Sequence, residues 1–101
     1  MSSTFRVPGF TDIPPLAEAG LPGFDAVGWQ MLVAPAKTPR PIVQRLSDEI
    51  ARALNHPEFK NFILQQGSEP TVMNPEELRA YIRSEIDKWA KVVKLIGLKV
   101  D

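Results

Sequence analysis

The residues that could carry chemistry are few. His56 is the single histidine, and with no cysteine in the chain a metal site would have to recruit carboxylates from distant segments. Its setting, NHP, reads as a turn between two helices, where polar side chains are usually solvated. Glu58, Glu76, Glu77, Glu85 and Asp87 could supply acid–base pairs, but each falls on an expected polar helix face or first turn. No catalytic residue, metal ligand or cofactor is therefore assigned. GLPG at 20–23 is interrupted by Pro22 and is not followed by a lysine or serine, so it is no phosphate loop. The tryptophans remain. Trp29 stands beside Gly28 on a segment expected to be extended, where a backbone can be approached closely and an indole can take a ligand. Gly28 and Trp29 are the candidate ligand-binding residues, with core packing as the competing reading of Trp29. Trp89 falls in a helical apolar stripe and reads as core.

The elements that would position these residues lie on either side of a proline-rich stretch. Residues 12–41 hold six of the ten prolines and three of the six glycines, yet also Phe24, Val27, Trp29, Met31, Leu32 and Val33. Disordered proline-rich segments are poor in such side chains, so a folded connection is expected. STFRV at 3–7 and EPTVM at 69–73 read as short extended segments. Residues 15–19 read as one helical turn, and LPG at 21–23 as a type II turn, proline supplying fixed φ and glycine positive φ. AVGWQMLVA at 26–34 alternates Val27, Trp29, Met31 and Val33 with a second, mostly apolar face, which predicts a strand covered on both sides.

Helices are expected beyond. TPRP at 38–41 offers Thr38 as a cap and Pro39 as the first residue of a helix over 39–54 that buries Ile42, Val43, Leu46, Ile50 and Leu54. A second spans 57–66, stopped by Gly67. NPEE at 74–77 opens the third and longest, with Asn74 as cap, Pro75 at the first position and Glu76 and Glu77 at the positive end of the dipole. Its stripe of Leu78, Ile82, Ile86, Trp89, Val93 and Ile96 is expected to be buried. The pattern is α/β: three main helices and too few strands to close a sheet. Residues 1–38 form the strand and Pro/Gly-rich connection, and residues 39–101 the mainly helical part. Bare strand edges would favour self-association.

Composition narrows the partners. A chain of 101 residues supports one small domain or part of one. Twelve basic residues balance twelve acidic ones, leaving no field to attract nucleic acid or anionic lipid. The opening MSSTFRVPGF has no cationic stretch followed by an apolar run, so no signal peptide is expected in this chain, and no run approaches the roughly 20 apolar residues of a membrane span.

Several blocks together resemble a known family. DIPPLAEAGLPGFDAVGWQMLVAPAKTPRPIVQRL, ALNHPEFKNFILQQGSEP and NPEELRAYIRSEIDKWAKVVKLIGLK are similar, in order and spacing, to the C-terminal part of the Bug-type (TctC-like) solute receptors of tripartite tricarboxylate transporters. Ile13, Pro14, Glu18, Gly20, Pro22 and Gly23 match the family's P-T-x-x-E-x-G-x-P-G segment. Trp29, Ala34, Pro35, Thr38 and Pro39 match its W-x-x-x-x-A-P-x-x-T-P block, and Pro57, Gly67, Pro75, Glu85, Trp89 and Gly97 continue the match. Pro15 replaces the usual threonine and Lys37 a common glycine. The resemblance implies a fragment of a two-lobed, type II-like periplasmic binding protein, without enzymatic activity. It further implies a small carboxylate-like solute, membrane transporter subunits as partners and a periplasmic location. The segments that supply most ligand contacts in such receptors have no counterpart here, so a complete site is not expected. The alternative is an interaction module that has lost solute binding.

Overall fold

The computed structural model describes residues 1–99, so the last two residues of the segment 39–101 lie outside it. Three helices form in order: α1 (Arg40–Leu54), α2 (Pro57–Gln65) and α3 (Pro75–Ile96). Each begins at a proline in its first turn, where the missing N–H would have had no helical partner. α3 has the best-formed ends. Asn74 Oδ1 accepts the Glu77 N–H at 2.8 Å, while Asn74 Nδ2 donates to Glu77 Oε1 at 2.6 Å. Gly97 closes the helix in the left-handed region at φ 67°, and the Leu98 N–H reaches back to the Val93 carbonyl at 3.2 Å. α1 starts one residue later than the sequence suggests. Pro39 holds the cap position without a side-chain bond, and Thr38 instead donates its N–H to the Pro35 carbonyl in a turn.

The α/β expectation is overturned. Among the described residues there is no strand: 3–7, 26–34 and 69–73 carry no ladder. The physical reason is the lack of a partner, since a strand exists only through hydrogen bonds to another. Residues 1–3 run beside the proline-rich segment in place of a sheet. The Met1 ammonium donates to the Pro14 carbonyl at 3.0 Å, the Leu16 N–H to Met1 at 2.7 Å and the Ala26 N–H to Ser2 at 2.9 Å. Ser3 is buried and its hydroxyl donates to the Phe5 carbonyl at 2.7 Å, bending the stretch expected to be straight. The turns of the proline-rich segment do form. The Phe24 N–H bonds the Leu21 carbonyl at 3.1 Å with Gly23 at φ 78°, the turn LPG was expected to make.

The helices meet loosely. α1 touches both α2 and α3, and Arg40 pairs with Glu76 at 3.0 Å where α1 and α3 begin. Among the described residues no apolar side chain forms a buried core; Ser3, Pro15 and Glu85 are the buried ones. A radius of gyration of 16.5 Å exceeds the roughly 13 Å of a compact chain this long. The stripe expected to be buried on α3 is therefore corrected. Trp89 is 45% exposed, Ile86 63% and Ile96 66%. The better-covered line is rotated around the helix and runs through Leu78, Tyr81, Ile82, Glu85 and Lys88.

Capping and exposure give opposite expectations for two positions on α3. Asn74→Ala should lower stability by about 1 kcal/mol. Ile86→Ala should change it by no more than about 0.5 kcal/mol, as at surface sites. Urea unfolding followed by helical circular dichroism checks both, and a large loss at Ile86 would contradict the exposed face.

Candidate functional site

α3 presents a carboxylate where an apolar side chain would be expected. Glu85 lies in the row Leu78, Ile82, Glu85, Trp89, Val92, whose spacings of four and three trace one helix face. It is almost fully buried. A buried charge is costly unless paired and hydrogen-bonded, and here both oxygens are engaged. Lys88 Nζ lies 2.8 Å from Oε1, and Trp89 Nε1 donates to Oε2 at 3.0 Å. These partners stand three and four residues on, where a helix brings side chains together. The same ammonium leaves the helix: it donates to the Asp25 carbonyl at 3.1 Å and lies 3.8 Å from Asp25 Oδ2. It also sits 5.8 Å from the centre of the Trp89 ring, within cation–π range.

Trp29 meets α3 one turn earlier. Its ring packs edge-to-face on Tyr81, with centroids 6.1 Å apart and planes at 76°. Asp25 and Trp29, four residues apart, are thus both seated on α3, and the Ala26 N–H between them is tied to Ser2. Trp29 stays 44% exposed. Gly28 lines an open groove with Ser3, Val7, Phe10, Val27 and Gly67. A Cβ placed on Gly28 would meet no atom within 4 Å, so the chain itself makes no close approach there.

The electrostatics follow from this geometry. The hydrogen bond from Lys88 is the strongest influence on Glu85 and holds its carboxyl below the usual range. Burial opposes the shift, and Trp89 and, more weakly, Trp29 add to it. The net direction shows that the paired donors outweigh desolvation. Glu85 in turn raises the Lys88 ammonium above its ordinary value. Burial first, and then the charge of Glu85, push the Tyr81 phenol up.

Four of the other ionisable residues singled out by sequence lie at helix starts, and Asp87 stands within α3. His56 occupies the cap position of α2, without a side-chain cap bond, beside a shallow groove with Glu49, Arg52 and Phe59. Glu76 and Glu77 are used at the start of α3 and Glu58 in the first turn of α2. Glu85 is the residue that sequence reasoning misplaced, on a polar face. Its signal was present: an acidic residue inside an apolar row, with a lysine and a tryptophan at the next two helical neighbours.

Comparison with known proteins decides the family. Residues 1–98 match the family model described as "Tripartite tricarboxylate transporter family receptor". The chain belongs to this family. It is similar to a UPF0065 protein in the tcbD-tcbE intergenic region of Pseudomonas sp. (strain P51), at 36% identity over 94 residues, 92% of this chain and 28% of that protein. It is also similar to Protein BugT of Bordetella pertussis, at 34% identity over 98 residues, 97% of this chain and 30% of BugT. A UPF0065 protein from the TAR-I ttuE-ttuC' intergenic region of Agrobacterium vitis is 30% identical over 91% of this chain and 28% of its own length. The chain thus spans less than a third of the curated relatives it matches. No solved structure matches it. The family is one of receptors and not of enzymes. Among the described residues no helix is long and apolar enough to cross a membrane.

The pH response of the cluster has a definite sign. Glu85 is more acidic folded than unfolded, so its contribution is present above the ordinary carboxylate pKa and is lost as pH falls through its lowered value. Lys88 behaves oppositely: its contribution is present below the ordinary ammonium pKa and is lost as pH rises through its raised value. With Asp25 and Tyr81 as the other titratable groups facing the pair, tryptophan emission should be constant across neutral pH. It should change only below about pH 4 and in strong alkali. In Glu85→Gln the acid step should disappear from a fluorescence titration.

Proposed function

We propose that this chain forms the C-terminal segment of an extracytoplasmic receptor that binds a small carboxylate-like solute and delivers it to the membrane subunits of a tripartite tricarboxylate-type transporter. The family match over residues 1–98 carries this reading. In it, residues 1–38 are the connection that bears the solute-facing groups, and Arg40–Leu54, Pro57–Gln65 and Pro75–Ile96 make up the helical part. Trp29 and Gly28 are the ligand-facing residues of this segment. The half-exposed indole and the open space beside Gly28 support that role. Such a receptor works in the periplasm. The rest of the ligand shell would come from the part of a receptor for which this chain has no counterpart.

A second reading is favoured by one observation, the lack of any buried apolar core among the described residues. The isolated chain would then act as an association module, its bare apolar faces covered by another copy.

The two readings separate by titration and sedimentation. The isolated chain is expected to give no saturable heat with millimolar citrate, succinate or malate and to sediment as a dimer or larger. Grafted into BugT in place of the matching segment, the sequence should restore saturable binding of at least one small carboxylate, and Trp29→Ala should abolish it. A folded graft that binds none of the panel refutes the receptor reading, and a monodisperse monomer of the isolated chain refutes self-association.

A further inference from the structure

An ion pair whose carboxylate is buried while its ammonium stays 32% exposed, in a chain without an apolar core, requires a physical reason. Replacing such a pair with apolar residues of similar size is often neutral or stabilising, so its best-attested use is to select one arrangement among several. The arrangement selected here is that of the loop from Asp25 to Trp29. Lys88 holds the loop by the Asp25 carbonyl at 3.1 Å, and Glu85 fixes the ammonium at 2.8 Å. At the other end Trp29 rests its ring against Tyr81, one helical turn before Glu85. Trp89 Nε1 occupies the second carboxylate oxygen, so Glu85 cannot turn away without losing a hydrogen bond.

We propose that Glu85 and Lys88 are positioning residues for Trp29: the pair ties the Asp25–Trp29 loop to α3 and thereby sets the face of the indole that remains open. The proposal rests on the reading of Trp29 as a ligand-facing residue only for its effect on solute affinity. The positioning itself is a property of this chain. Lys91 and Lys94, on the same helix, make no ion pair and no side-chain hydrogen bond among the described residues, so the tie is specific to Lys88.

Fluorine NMR of the full chain labelled with 5-fluorotryptophan tests this without any solute. Two resonances are expected, assigned by Trp29→Phe and Trp89→Phe. Lys88→Met, which removes the ammonium but keeps much of the side-chain bulk, should move the Trp29 resonance toward that of free 5-fluorotryptophan with helical dichroism unchanged. Lys88→Arg should restore it, and Lys91→Met should leave it in place. Glu85→Gln keeps an acceptor for Trp89 but weakens the hold on Lys88, and should move Trp29 in the same direction. An unmoved Trp29 resonance in both Lys88→Met and Glu85→Gln would overturn the positioning role, whatever the solute titrations show. In the BugT graft, Glu85→Gln should weaken carboxylate binding about tenfold, the loss of one charge-assisted hydrogen bond. It should add little to the effect of Trp29→Ala, as for residues acting as one unit. A moved resonance with unchanged affinity would leave the tie intact and remove Trp29 from the ligand site.

Discussion

One ammonium group joins the proline-rich segment to α3. Lys88, late in α3, reaches 63 residues back to the Asp25 carbonyl while paired with Glu85 on its own helix. In a domain with a packed interior such a contact would be secondary to buried apolar area, which normally dominates folding free energy. Here that area is missing among the described residues, and directional contacts define where the proline-rich segment lies. The backbone bonds of Met1 and Ser2 to Pro14, Leu16 and Ala26, the edge-to-face pair of Trp29 and Tyr81, and the Arg6–Glu18 bridge at 2.8 Å complete the set.

What could be read in the sequence was whatever depends on near neighbours along the chain. Asn74 and Pro75 announce the start of α3 because capping is settled within a few residues. The turn at Leu21–Phe24 is legible for the same reason. The strands failed because pairing depends on segments far away or absent, and alternation in 26–34 says nothing about whether a partner is there. Glu85 was obscured by phase. The apolar row through Ile86 shares Leu78 and Ile82 with the better-covered line through Tyr81, Glu85 and Lys88, and periodicity alone favours the more apolar of the two.

Family membership gives those failures a common meaning. The alternation in 26–34 and the apolar rows of α3 build no buried apolar core among the described residues, and the chain spans under a third of the relatives it matches. The elements that form are those whose determinants are local. The expected strands, whose pairing would need segments distant along the chain, do not form among the described residues.

The prolines at Pro41, Pro57 and Pro75, in the first turns of the three helices, have a consequence for any assembly step. None of these helices can lengthen toward its N-terminus, because the ring removes the donor and clashes with the preceding turn. Docking would therefore present finished cylinders and would not draw loop residues into new helix. The ordering entropy of association would fall mainly on side chains and on the loop already tied at Asp25, which lowers the free energy that a partner surface must supply. Covalent punctuation of the helices thus fixes their starts before any docking step.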